Sequence, residues 1–95
     1  MPKGYWIAHV TVTDPEQYAI YAAATAEPFA KYGTNVLARG GAYTALEGAD
    51  RPRNVVIEFP TMQAALDCYN SPEYQAARAN RIGAGVADIT IVEGA

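Results

Sequence analysis

The sequence predicts a small α+β protein with the element order β-α-β-β-α-β. Three observations predict it. Residues 5–12 and 54–59 are dense in aromatic and β-branched side chains, the composition of strands. The segments opening at Asp14-Pro15 and at Thr61 combine helix-start chemistry with apolar residues at three- and four-residue spacing. Gly48-Ala49-Asp50-Arg51-Pro52 is turn chemistry between two extended segments, which makes a hairpin in the middle of the chain. At 95 residues and 10.2 kDa, the expectation is one domain spanning 1–95.

Taken in order, Tyr5 to Val12 is the first strand. Its rows differ: Trp6, Ala8, Val10 and Val12 are all apolar, whereas Tyr5, Ile7, His9 and Thr11 are mixed. Asp14 supplies an N-cap acceptor, Pro15 suits the first helical position, and Glu16 complements the helix dipole. Tyr18, Tyr21, Ala22, Thr25 and Phe29 then form one buried stripe. Pro28 must end or kink this helix, because proline lacks a donor and clashes with the preceding turn. Tyr32-Gly33 closes the segment. Residues 35–47 read as one long strand with a bulge at Gly40-Gly41, and Asn54–Phe59 returns beside it. Thr61 caps the next helix, Ser71-Pro72 restarts it, and Gly83 and Gly85 stop it near Arg81. Asp88 to Val92 alternates and is the last strand.

This order belongs to the ferredoxin-like pattern, a four-stranded antiparallel sheet with its helices on one face. The other face raises a question of covering. A sheet face in water should be polar, but Tyr5, Ile7, Val56 and Val92 make this one mixed. The simplest cover is a second copy of the chain, so a homodimer is expected.

Composition narrows the function classes. With 51% hydrophobic and 18% charged residues and a net charge of −3, the chain is an ordinary acidic globule without a phosphate-binding surface, and no nucleic-acid partner is expected. One cysteine makes no intrachain disulfide, and there is no apolar run long enough for a membrane span. A cytoplasmic location and no membrane partner are the resulting expectations. One histidine and one cysteine do not build a usual zinc set. No phosphate loop, dinucleotide fingerprint or nucleophile elbow is present. No metal or cofactor is expected.

The stretches Ala38-Arg39-Gly40-Gly41, Leu46-Glu47-Gly48, Arg53, Val55-Val56-Ile57-Glu58-Phe59-Pro60 and Tyr69-Asn70-Ser71-Pro72-Glu73-Tyr74 together resemble the family catalogued as domain of unknown function 1330. The resemblance spans nearly the whole chain. It implies a dimeric α/β barrel, in which two sheets pack face to face around a cavity. Its superfamily includes cofactor-independent monooxygenases, muconolactone isomerases and haem-handling enzymes, but the family itself implies no activity. Two positions depart from the family pattern: Gly33 is single where paired glycines are usual, and Cys68 replaces a common tryptophan.

Candidate site residues follow from chemistry. His9 has the side chain suited to proton transfer near neutrality; its alternative role is an interface hydrogen bond. Glu58, out of phase with Val55, Ile57 and Phe59, is expected on the same face as His9. A carboxylate under a covering subunit needs a cation, and Arg39 offers a bidentate fork. Counting back from the turn puts Arg39 on the helix face, while a bulge at Gly40-Gly41 flips it to the open face beside Glu58. The flipped register is taken here. His9, Arg39 and Glu58 are therefore the candidate catalytic set, and the same three residues could instead lock the dimer. Tyr5, Tyr43, Tyr74 and Arg81 are candidate ligand contacts, through hydroxyls that seek partners when buried and through a cation that also complements the helix dipole. Arg51 and Arg53 read as solvated charges beside a turn, and Cys68 as a buried thiol. The function expected is a homodimer holding a small organic molecule between its sheets, as a cofactor-independent oxygenase or isomerase, or as a non-catalytic binding or regulatory dimer.

Overall fold

In the computed structural model, which describes residues 2–95, the elements are β1 (Gly4–Val12), α1 (Pro15–Ala24), α2 (Ala26–Lys31), β2 (Asn35–Arg39), β3 (Arg53–Phe59), α3 (Met62–Asn70), α4 (Pro72–Arg81) and β4 (Gly85–Glu93). All strand pairs are antiparallel, in the order β2-β3-β1-β4. The first and third strands thus occupy the middle of the sheet, as the ferredoxin-like pattern requires.

The three expected caps form. Asp14 Oδ1 accepts from the Gln17 amide at 3.2 Å, Thr61 Oγ1 from Ala64 at 3.0 Å, and Ser71 Oγ from Tyr74 at 3.1 Å. Each satisfies an amide that has no partner inside its helix. The first helical segment breaks at Thr25, between α1 and α2. Pro28 explains the position. Its ring would strike the carbonyl four residues earlier, that of Ala24, the last residue of α1. The Thr25 hydroxyl donates to the Ala22 carbonyl at 2.7 Å and occupies an acceptor freed at the break.

Trp6, Ala8, Val10, Ile57 and Phe59 lie under the helices and are buried. Trp6 is the hub of the core: its ring meets Tyr74 edge-on at 4.9 Å and Phe29 at 5.5 Å, and it stacks on Phe59 at 6.0 Å. Gly4 lets α3 approach β1 closely, since a Cβ there would meet Met62 Cα and Thr61 O at 2.6 Å. Cys68 is buried as expected, and burial pushes its thiol up to about 12. That keeps it protonated and unreactive.

The hairpin corrects the sequence reading. β2 stops at Arg39, and residues 40–52 form no further strand. The bulge falls at Leu37, between the pairs Val36–Ile57 and Ala38–Val56, rather than at Gly40-Gly41. Arg39 then pairs with Val55, and Val55 pairs with Ala8 of the apolar row. Arg39 is therefore on the helix face, one sheet thickness away from Glu58. The glycine pair ends the strand instead of bulging it: Gly40 takes φ +64 and begins the loop.

Candidate functional site

The helices do not fill the sheet face. Ala22, Ala26 and Ala30 recur every four residues along α1 and α2, so methyl groups stand where larger side chains would reach the sheet. A cavity of about 520 Å³ results, floored by Trp6, Ala8, Val10, Val55 and Ile57 and walled by Tyr18, Tyr21, Thr25 and Phe29. This volume is in the range of small-molecule sites. The stripe read from the sequence as packing is thus also a cavity wall.

Three arginines reach this cavity from three elements: Arg39 from the end of β2, Arg53 from the start of β3 and Arg81 from the last turn of α4. The Arg53 guanidinium lies over the Tyr18 ring at 5.3 Å, and the Arg81 guanidinium over the Tyr21 ring at 5.3 Å. Gly40 leaves room for the first, because a Cβ there would come within 2.9 Å of Arg53 Nη1. Arg81 is only 8% exposed. The Nε atoms of Arg53 and Arg81 are buried without a hydrogen-bond partner. Among the described residues no aspartate or glutamate lines the cavity. Behind Arg81, the Tyr21 and Tyr74 hydroxyls share a hydrogen bond of 2.8 Å. Burial raises both phenols above their ordinary value, so both stay neutral.

The remaining candidates are elsewhere. His9, Glu58 and Tyr5 are on the open face. Tyr5 Oη donates to Glu58 Oε2 at 3.0 Å, and Lys3 Nζ donates to Oε1 at 3.2 Å. Those two donors hold the Glu58 carboxyl below its ordinary range, Lys3 contributing most. The Glu58 carboxylate in turn raises the Tyr5 phenol. The expected Arg39–Glu58 pair does not form, because Glu58's cation is Lys3. His9 Nδ1 meets Asn54 Oδ1 at 2.6 Å. The Asn54 amide NH2 is committed to the Arg51 carbonyl at 3.1 Å, so its oxygen accepts and His9 carries the proton on Nδ1. A second hollow, about 360 Å³, lies between His9, Asn54, Arg51 and the 40–52 loop. Tyr43, also at that hollow, donates to Asp50 at 2.9 Å. Tyr74 is wholly buried in the core and does not line the cavity.

The candidate catalytic set is thus divided by the sheet. Arg39 and Arg81 share the helix-side cavity, and His9 and Glu58 are behind it. Sequence reasoning missed Arg53, Tyr18 and Tyr21 as site residues. A signal was present for the first: Arg53 is in phase with Val55, Ile57 and Phe59, the row that faces the helices. Arg81 follows Tyr74 and Ala77 at helical spacing on the buried stripe of α4. Among the described residues no three His, Cys, Asp or Glu side chains are grouped to hold a metal ion. Nor is any helix long and apolar enough to cross a membrane.

Fold and cavity define a ferredoxin-like protein with a partly open chamber between one chain's own helices and sheet. Solved structures share this architecture. A protein of unknown function from Rhodopseudomonas palustris, RPA0582, superposes with a TM-score of 0.79 at 18% identity, covering 99% of this chain and 83% of the other. SnoaB, a cofactor-independent oxygenase from Streptomyces nogalater, gives 0.62 at 15% identity over 97% and 92% of the two chains. A dimeric ferredoxin-like protein of unknown function from Thermobifida fusca gives 0.63 at 19% identity over 99% and 91%. No curated protein matches the sequence. The family model described as domain of unknown function DUF1330 matches residues 3–95. The chain belongs to that family.

Proposed function

We propose that this protein is a homodimer in which each chain binds a small organic molecule between its own sheet and helices. One observation carries the reading: a cavity of about 520 Å³ walled by alanines and aromatic rings, in which two buried arginine Nε donors have no acceptor. Native interiors pack near crystal density and pair their buried donors. A chamber that does neither fits a missing occupant.

The dimer reading rests on the open face. Tyr5, Ile7 and Val56 are half-buried there and Val92 is exposed, an apolar share that water covers poorly. The Thermobifida fusca relative is described as dimeric. Sedimentation should give twice the 10.2 kDa chain mass at micromolar concentration; a stable monomer would defeat the dimer.

Among the described residues the cavity wall contains no histidine, carboxylate, lysine or thiol. It therefore lacks a side chain suited to proton transfer at neutral pH, which favours binding over acid–base catalysis by the protein. The likeness to SnoaB supports a second reading, a cofactor-independent oxygenase or isomerase. In that reading the arginines would stabilise charge developing on the substrate, and the substrate would enter already able to lose its proton.

Trp6 is the only tryptophan and lines the cavity, so its fluorescence reports occupancy. Titration with matched phenylalkyl acids, amides and alcohols should give a saturable change that Ala22→Phe, which fills the cavity, removes. No saturable change with any member of the series would overturn the reading.

A further inference from the structure

We infer that the occupant is an organic anion, its charged end gripped by Arg53 and Arg81 and its flat apolar body lying along Trp6 and Phe29. The inference rests on the cavity reading above and adds the charge of the ligand. The chain is acidic overall, with 10 Asp and Glu against 7 Lys and Arg. Even so, three arginines converge on a cavity that, among the described residues, no acid lines. Arg39 is exposed, but Arg81 is buried; its desolvation is offset by the neighbouring Tyr21 and Tyr74 hydroxyls, and an anion between Arg81 and Arg53 would add the counter-charge that the described residues do not supply.

The Arg53 and Arg81 guanidiniums each lie over a tyrosine ring with the buried Nε unpartnered. Arg53 lies over Tyr18, Tyr18 meets Tyr21 with ring centroids 5.3 Å apart, and Tyr21 meets Arg81. Stacking on a ring face attracts the cation through the π system and leaves the in-plane N–H groups free. Those groups suit the two oxygens of a carboxylate. Arg81 is more than nine-tenths buried and its Nε has no partner. Arg78 Nε and Glu73 Oε2 are also unpartnered, but neither residue lines the cavity. The rest of the wall selects against a bare inorganic anion. Phe29, Val36, Val55 and Ile57 offer no side-chain hydrogen bonds along their part of the wall, which suits a ligand with an apolar body.

The test compares 4-phenylbutyrate, 4-phenylbutyramide, 4-phenylbutanol and inorganic phosphate on the full chain, read by Trp6 fluorescence and by melting temperature. The acid should bind at least about tenfold more tightly than the amide, the ratio that one charge-assisted hydrogen bond supplies. Arg53→Met should bring acid and amide to within about twofold of each other. Without ligand, its melting temperature should equal or exceed that of the parent, because an uncompensated cation is removed. Arg81→Lys keeps the charge but loses the fork and should weaken the acid by a similar factor; if it does not fold, Arg53→Met alone decides. If amide and acid bind equally and Ala22→Phe abolishes both, the cavity reading stands and the anion inference falls. Phosphate binding as tightly as the acid overturns the organic body. Arg53→Met that melts early and retains the acid preference overturns the clamp, and absence of binding by every member removes the inference together with the cavity reading.

Discussion

The two faces of the sheet handle charge in opposite ways. On the open face each cation has found a partner in the same chain: Lys3 with Glu58, Arg51 with Asp88 at 2.8 Å and with Thr11 at 3.2 Å. On the helix face, Arg39, Arg53 and Arg81 form no ion pair among the described residues. For Arg81, the buried one of the three, the contrast runs against cost, since an unpaired charge is cheap in water and expensive under helices. The difference teaches which polar residues to suspect. A satisfied array, even one containing the only histidine, is explained by structure alone. Buried donors without a partner, such as the Nε atoms of Arg53 and Arg81, are the ones to suspect.

Three pairs of substitutions break or sharpen this contrast. The largest effect belongs to the core beneath the helices: Trp6→Ala should cost about 3–5 kcal/mol in urea unfolding, as large aromatic truncations do. Ile7→Ala, one residue on and facing the other way, should cost clearly less in dilute protein, and its cost should grow with concentration if that face is buried in a dimer. Equal costs at all concentrations would erase the distinction between the faces.

Intermediate in size is Tyr21→Phe. It strands the buried Tyr74 hydroxyl, whose partner lies 2.8 Å away, and should cost about 1–3 kcal/mol. Tyr5→Phe on the open face leaves a carboxylate still paired to Lys3 and should shift the denaturation midpoint much less.

The smallest effect is the most diagnostic. Glu58's folded pKa is lowered, so its contribution to stability is present above the ordinary glutamate value of 4.5 and is lost as pH falls through the lowered folded value. Glu58→Gln should therefore flatten the acid limb of the stability profile and change little at neutral pH. Combined with Arg39→Met it should be additive, because the two residues occupy opposite faces. Measurable coupling between them would restore the register that places Arg39 beside Glu58.

How much of this was legible in the sequence depended on the range of the cause. Helix starts at Asp14, Thr61 and Ser71 are set by neighbours within three residues, and all were readable. The ferredoxin-like order followed from element type alone. Register was not readable in the same way. A one-residue bulge at Leu37 leaves no local mark, whereas Gly40-Gly41 advertises one that does not exist, so the sequence alone puts Arg39 on the wrong face. Arg53 was read as solvated because it adjoins a turn, although its phase with Val55 already pointed inward. Tyr18 and Tyr21 resembled ordinary packing because an apolar stripe looks the same whether it meets a full core or an empty chamber. The void depends on what the sheet and helices fail to bring together, and no single segment encodes that.

The alanine ladder on α1 and α2 separates the size of the chamber from its charge. Ala22, Ala26 and Ala30 set how deep the chamber is, while Arg39, Arg53 and Arg81 come from other elements and set its charge. Neither group overlaps the open-face row of Tyr5, Ile7, Val56 and Val92. Exchanges on one helix face can therefore resize the chamber without altering how it handles charge or how two copies would meet. The size of the chamber, its charge and the open-face row are thus separately mutable.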